Sequence, residues 1–172
     1  PTFGAPECRL AHRDRGWIEA DPVALLEYVR SASARFEGTE SGTGIDQLRR
    51  VVRYLKRWND AGLGSRAGVP ASGLAFTLLA IDHLSPATDP WSTAADDRQA
   101  LAQLARHAAS QTTLAAFKPT PEYEDMFGKL TRAEMTRLVA RFGELASALE
   151  SAERAVDPVV ACTTLSGLLG DD

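Results

Sequence analysis

The segment that follows Pro70-Ala71-Ser72-Gly73 is apolar on nearly every side, and this feature most restricts how the chain can fold. Its apolar residues are Leu74, Ala75, Phe76, Leu78, Leu79, Ala80 and Ile81. A helix without a polar face has to be surrounded by the rest of the protein. We therefore predict a helical bundle in which this helix forms the centre of the core.

The other segments supply helices that can surround it. Five apolar side chains recur at helical spacing and predict an amphipathic helix over 46–61: Leu48, Val51, Val52, Leu55 and Trp58. Further helices are predicted from Asp21-Pro22, over 95–112, over 131–154 behind a capping box, and from Asp157-Pro158 to about Gly167. Trp91 is predicted to anchor a loop over the core, and the alternative is a role in stacking on a base. The fold class is therefore mainly α.

Residues 1–21 have a different pattern. Cys8–His12 and Trp17–Ala20 flank Arg13-Asp14-Arg15-Gly16, a turn signal, so a short β-ribbon is predicted there. A two-stranded ribbon is marginally stable alone and needs a sheet to pair with. We predict a helical domain over 22–172. Because the chain begins with Pro1 rather than Met, we expect it to be part of a larger protein.

Composition excludes several classes of protein. Of the 172 residues, 44% are apolar and 24% are charged, with a net charge of −4. No apolar run approaches the roughly 18 residues of a membrane-spanning helix. Two cysteines far apart do not make a disulfide framework, and the three histidines have no metal-ligand spacing. We expect a reduced, soluble, cytoplasmic protein without a membrane partner or a metal site of its own. Its acidic charge makes general nucleic-acid binding an unfavoured function.

One predicted helix nevertheless concentrates positive charge. Arg49, Arg50, Arg53, Lys56 and Arg57 lie within nine residues. Like charges three or four residues apart repel by a few tenths of a kcal/mol per pair. An anionic ligand would compensate, and a triphosphate is the natural choice because guanidinium and ammonium groups match phosphoryl oxygens. The alternative is a basic face that is simply solvated.

A second phosphate-binding feature follows on the next helix. Its predicted start at Ser72-Gly73 offers unpaired backbone N–H groups, a hydroxyl and room for close approach of an anion. The alternative is that Ser72 only caps the helix. Tyr54 lies beside the basic face and is a candidate for contact with a base. The predicted nucleotide-binding residues are Arg49, Arg53, Tyr54, Lys56 and Ser72.

The stretches Leu48–Trp58 and Pro70–Ala75 resemble the C-terminal half of template-independent nucleotidyltransferases. The relatives are 2′-5′-oligoadenylate synthetase, cyclic GMP-AMP synthase and, most closely, the bacterial cyclic-oligonucleotide synthases of antiphage defence. In this family an Arg/Lys-x-x-Lys-x-Trp helix and a Pro-x-Ser helix start line the nucleotide cleft. The resemblance implies that Arg53 and Lys56 hold nucleotide phosphates and that Ser72 touches the same triphosphate. Gly73 departs from the stacking aromatic that relatives often carry.

The resemblance also implies what the chain does as part of a whole. The full protein would join nucleoside triphosphates, ATP and as further candidates GTP or others, into a cyclic oligonucleotide second messenger. Its Mg²⁺ ions would be held by carboxylates of an upstream core that the sequence lacks, and the N-terminal ribbon would complete the sheet of that core. Glu19 and Asp21 have the acid-x-acid spacing, but Asp21 is interpreted as a helix cap. The chain alone is therefore expected to be inactive, with no catalytic residue of its own.

Two other functions stay open at this point. One is a helical module without catalysis that binds a nucleotide or RNA through the basic groove. The other is a relative of the tRNA or poly(A) nucleotidyltransferases, which also place a Lys/Arg helix beside the cleft.

Overall fold

The computed structural model describes residues 9–12, 16–64, 68–121 and 123–170. The elements within these residues are β1 (Arg9–His12), β2 (Gly16–Glu19), α1 (Pro22–Ala34), α2 (Gln47–Gly64), α3 (Gly73–His83), α4 (Asp97–Ala109), α5 (Arg132–Arg154) and α6 (Pro158–Leu169). The predicted mainly α fold with a short N-terminal ribbon is confirmed. The predicted ribbon residue Cys8 and the turn residues 13–15 lie outside the described residues.

The two strands pair antiparallel, with Arg9 opposite Glu19 and His12 opposite Gly16. The chain then enters α1, where the Asp21 carboxylate accepts a hydrogen bond from the backbone N–H of Ala24 at 2.8 Å. Asp21 is thus a helix cap, as interpreted from the sequence. Apolar side chains remain exposed on this part of the protein: Trp17, Val23 and Leu26.

Helix α3 lies at the centre of the core, as predicted. Six of its residues from Ala75 to Ile81 are at most 3% exposed. Phe76 packs edge-on against Trp58 and Phe142, with ring centroids 6.4 Å apart in both pairs, and against Phe127 at 6.1 Å. These contacts join α2, α5 and the loop before α5 around α3. The buried apolar stripe of α2 faces this cluster, so its opposite face is free to carry charge.

Local capping defines where several helices begin. Ser72 and Asp96 accept hydrogen bonds at the starts of α3 and α4, and Asp157 does so at the start of α6. Thr131 and Glu134 form the predicted capping box of α5. None of the helices in the described residues is long and apolar enough to cross a membrane.

The prediction that Trp91 anchors a loop over the core is wrong. Its side chain is 93% exposed. The Asp89 carboxylate accepts hydrogen bonds from the backbone N–H groups of Trp91 and Ser92, at 2.9 and 2.7 Å, and this turn directs the indole outward. Gln47 holds the loop instead, because its buried side-chain amide exchanges two hydrogen bonds with the backbone of Ala87.

Candidate functional site

Ser72 lies at the start of α3 and caps it. Its backbone is extended, and its hydroxyl oxygen accepts a hydrogen bond from the backbone N–H of Ala75 at 3.2 Å. Ser72 is exposed, so a ligand can reach its hydroxyl group. The first N–H groups of a helix have no partner within that helix, and they carry its positive dipole end. This end of α3 therefore favours an anion.

Lys56 reaches this helix start from α2. A β-carbon built at Gly73 would lie 2.9 Å from Lys56 Cε and 3.5 Å from Lys56 Nζ. The ammonium group thus lies against the first residue of α3, next to Ser72. The two features predicted separately from the sequence occupy one place in the fold. We refer to Lys56, Ser72 and Gly73 as the α3 cradle.

The five cations of α2 differ in their partners. Arg50 donates from Nε and Nη2 to the two carboxylate oxygens of Asp97, at 2.6 and 2.7 Å, and these hydrogen bonds raise its pKa. Arg49 lies 3.3 Å from the Asp46 carboxylate and is otherwise exposed. Among the described residues, Arg53 and Lys56 form no ion pair with a carboxylate. They are the members of the predicted site whose charge is available to a ligand.

Arg57 has a different role from its neighbours. Its Nε donates to the carbonyl oxygen of Leu169 at 2.7 Å, and its Nη2 donates to that of Gly170 at 3.0 Å. The guanidinium therefore holds the C-terminal end of α6 against α2. The sequence offered no signal for this contact, because the donor and acceptors are more than a hundred residues apart.

An open cavity of about 500 Å³ lies along this face of α2. Its lining residues are Arg53, Lys56, Arg57, Asp60, Ala61, Leu169 and Gly170. We call it the basic cavity, since it has three cationic side chains and one carboxylate. Lys56 belongs both to this cavity and to the α3 cradle, so the two sites adjoin.

Tyr54 lies on a neighbouring face of α2. It lines a smaller cavity of about 300 Å³ together with Leu101, Leu149 and Leu165. Burial, and next the charge of Asp97, raise the pKa of its hydroxyl. Tyr54 thus lines a different cavity from Lys56, and its contact with a base stays a prediction.

A Mg²⁺ site would need clustered carboxylates. The residues that the structure describes contain no group of three or more His, Cys, Asp or Glu side chains arranged to hold a metal ion. The described part of the chain thus does not fit the metal that the family resemblance implies.

Known proteins resemble this chain in structure rather than in sequence. No protein-family model matches the chain, and no curated protein has a significantly similar sequence. Solved structures of the Vibrio cholerae cyclic AMP-GMP synthase DncV do match. The complex with the linear intermediate pppA(3′,5′)pG superimposes with a TM-score of 0.72 at 20% identity, covering 95% of this chain and 40% of that one. The apo form gives 0.73 at 20% identity, covering 99% and 43%.

A complex of DncV with nonhydrolyzable GTP gives a TM-score of 0.72 at 22% identity, covering 95% of this chain and 42% of that one. The chain shares its fold with part of a bacterial cyclic dinucleotide synthase. DncV is itself described as a prokaryotic homolog of cGAS. The family resemblance drawn from two short stretches is thus confirmed as a resemblance of fold. The chain spans between 40% and 43% of the length of the DncV chains it matches.

Proposed function

We propose that this chain is the C-terminal, nucleotide-binding portion of a template-independent nucleotidyltransferase that makes a cyclic oligonucleotide from nucleoside triphosphates. The observation that carries the proposal is the α3 cradle. It brings an ammonium group without a carboxylate partner among the described residues to a helix start with an exposed hydroxyl. DncV, whose fold the chain shares, has been solved in complex with ATP and GTP.

The chemistry of the cradle suits a triphosphate. Phosphoryl oxygens accept charge-assisted hydrogen bonds from Lys56, and they interact favourably with the positive end of α3. Because Gly73 has no side chain, Lys56 lies over the start of α3, and its ammonium group can meet a phosphate bound there. Arg53 adds a second cation from the preceding turn of α2. The cradle would bind and orient the triphosphate, and it contributes no group that forms or breaks a bond.

The reacting groups would come from an upstream nucleotidyltransferase core. Such a core would supply the carboxylates for Mg²⁺, so the chain alone is expected to be inactive. The exposed apolar side chains of the ribbon and α1 support this division, because exposed apolar residues often lie at interfaces. Trp17 is 71% exposed and Val23 is 62% exposed. Residues 1–21 would extend the sheet of the core, and 22–172 would form the helical wall of the cleft.

The product would act as a second messenger in the cytoplasm, and antiphage defence is the process we propose for it. This part of the proposal rests on the resemblance to the bacterial cyclic-oligonucleotide synthases. The proposed substrates are nucleoside triphosphates, and the proposed reaction involves neither a membrane nor a nucleic-acid template.

The decisive experiment is a product assay. The full-length protein is incubated with radiolabelled ATP, GTP and Mg²⁺, and the products are treated with phosphatase. A phosphatase-resistant cyclic species formed without an RNA primer is expected. Labelled primers that only grow longer would favour a tRNA or poly(A) nucleotidyltransferase. Nucleotide binding without any product would favour a non-catalytic module.

The contribution of the cradle is tested by substitution. Lys56→Ala and Arg53→Ala are each expected to weaken ATP binding by roughly 1–3 kcal/mol, the range for losing a hydrogen bond to a charged group. Arg106→Ala is the matched control, since Arg106 lies on α4, does not line the basic cavity, and forms an ion pair with Glu150 of α5. Equal ATP affinity in all three variants would mean that the basic face is only solvated.

A further inference from the structure

Asn59 is a buried polar residue on α2, three positions after Lys56, and it is only 2% exposed. Its side-chain Nδ2 donates a hydrogen bond to the carbonyl oxygen of Val69 at 3.2 Å. Val69 is fully buried and lies in the segment that leads into α3. Residues three apart on a helix are neighbours. One turn of α2 therefore carries Lys56 to the start of α3 and also ties down the segment that precedes α3.

The Val69 carbonyl is also where the chain turns toward Ser72. Its oxygen accepts a second hydrogen bond, from the backbone N–H of Ala71 at 2.7 Å, which closes a three-residue turn around Pro70. The ring of a proline fixes its φ angle, so this turn has little freedom. Ser72 follows the turn directly. A shift of the Val69 carbonyl would therefore move the start of α3 with it.

Arg141 of α5 decides which way the Asn59 amide points. Its Nη1 donates to Asn59 Oδ1 at 3.4 Å and its Nη2 donates to the Trp58 carbonyl oxygen at 3.0 Å. Its Cζ lies 4.3 Å from the centroid of the Trp58 ring. A guanidinium can only donate and a carbonyl oxygen can only accept. The Asn59 amide therefore satisfies both of its neighbours in one orientation alone, with Nδ2 toward Val69.

We propose that Asn59 is a positioning residue that sets where Ser72 meets Lys56, and so shapes the α3 cradle for phosphate. Its hydrogen bond to Val69 closes a short path between the two halves of the cradle. Without it, they are connected through the whole segment between the end of α2 and the start of α3. Groups that are already held in place lose less conformational freedom when a ligand binds. The inference rests on the proposed function, because it takes the triphosphate of a nucleotide as the ligand.

The test exchanges two neighbouring side chains in the full chain, with ATP as the probe. In Asn59→Asp, a carboxylate ionised beside Arg141 still accepts from it but cannot donate to Val69. Adding Asp60→Asn leaves the net charge unchanged and moves a carboxylate from the basic cavity to a buried position. Charge alone would therefore leave ATP affinity equal or raise it. Loss of the hydrogen bond to Val69 should instead lower ATP affinity by about threefold or more, within the usual range for residues that act together.

Asp60→Asn alone is the matched control, and it should bind ATP at least as tightly as the parent chain. A double-mutant cycle separates positioning from a general loss of stability. Because Asn59 acts through Lys56, the exchange should lower ATP affinity much less in a Lys56→Ala background than in the parent. If the exchanged chain does not fold, Asn59→Ser makes the same test, since its shorter side chain also loses Val69 and buries no charge.

Two results would overturn the positioning role and leave the phosphate site in place. One is an exchanged chain that binds ATP as tightly as Asp60→Asn does. The other is a loss of ATP affinity that is undiminished in the Lys56→Ala background. In both, Lys56→Ala alone still binds ATP more weakly than the parent. A parent chain that does not bind ATP at all would overturn the phosphate site of the proposed function, and the positioning role with it.

Discussion

Lys56 crosses the start of α3 so closely that Gly73 has no room for a side chain unless the lysine moves. The close approach is to the far end of a flexible side chain, 2.9 Å at Lys56 Cε, so the lysine would give way rather than the backbone. The absence of a side chain at Gly73 therefore makes room for Lys56. It leaves the ammonium group beside Ser72.

Gly73→Ala separates stability from binding. Alanine lowers the conformational entropy of the unfolded chain, so we expect the free energy of unfolding to stay equal or rise by about 0.5 kcal/mol. ATP affinity should fall severalfold, because the new methyl group pushes Lys56 away from the cradle. Urea unfolding and ATP titration measure the two quantities. Gly167→Ala is the control, because Gly167 lies in α6 and a β-carbon there would have no neighbour within 4 Å. An equal loss of ATP affinity in both variants would refute the assignment.

Arg50 is expected to affect stability rather than nucleotide binding. Its ion pair with Asp97 is largely shielded, with side-chain exposures of 14% and 21%, and Arg50 Nη1 also donates to the carbonyl oxygen of Thr39 at 2.9 Å. Arg50→Ala leaves the Asp97 carboxylate partly buried without its cation. We expect the free energy of unfolding to fall by roughly 2–4 kcal/mol. Chemical denaturation measures this.

Arg49→Ala is the comparison for that prediction. Arg49 is 55% exposed beside Asp46, and exposed ion pairs contribute at most about 1 kcal/mol. A loss of stability in Arg49→Ala as large as in Arg50→Ala would mean that burial of the pair does not govern its contribution.

Acid pH should destabilise the protein through a pair of histidines. His83 and His107 stack at the ends of α3 and α4, with ring centroids 4.2 Å apart. Burial, and next the charge of His107, lower the pKa of His83, while Asp82 opposes this. In the unfolded chain the pKa of histidine is about 6.5. The unfolded state therefore binds a proton first, so stability is greatest above about pH 6.5 and falls as the pH drops through the lowered pKa.

Urea unfolding between about pH 7.5 and pH 5.5 measures this dependence. His83→Gln should remove most of this decline in the free energy of unfolding. His107→Gln should make the decline smaller, because the charge of His107 is one cause of the lowered pKa of His83. A decline of unchanged steepness in His83→Gln would assign the pH dependence to other groups.

The sequence predicted the fold well because its signals were local. The apolar stripe of α2, the apolar α3 and the cap at Ser72 each depend on residues within a few turns of one another. The partners of Arg50 and Arg57 were not local. The carboxylate that binds Arg50 is 47 residues away, and the carbonyl oxygen of Leu169 that binds Arg57 is 112 residues away. Charge periodicity placed these arginines on one helix but could not assign their partners.

Trp91 illustrates the same limit. A tryptophan in a proline-containing loop suggested burial, yet the turn made by Asp89 turns the indole to solvent. Tyr54 was predicted beside the basic face because it adjoins Arg53 in sequence. Adjacent helix residues point in directions about 100° apart, and Tyr54 lies toward α4 and α6 instead. Its predicted contact with a base, like the domain boundary after residue 21, stays a prediction.

Ser72→Asp distinguishes a helix cap from a phosphate contact. Aspartate caps a helix as well as serine does, and it favours the positive end of the helix dipole. We therefore expect the melting temperature to stay at or near that of the parent protein. The new carboxylate lies beside Lys56, so it repels phosphoryl oxygens and also competes for the ammonium group. ATP affinity should fall about tenfold or more, which corresponds to about 1.4 kcal/mol.

Melting temperature and ATP affinity have to be measured on the same preparations, because neither alone separates the two roles. Ser72→Ala loses a cap worth about 1 kcal/mol in either case and so serves only to confirm the cap. Ser151→Asp adds the same charge on the exposed face of α5 and controls for a general effect of net charge. If Ser72→Asp binds ATP as tightly as Ser151→Asp does, Ser72 is only a cap, and the phosphate must be held by Lys56 and Arg53 without it.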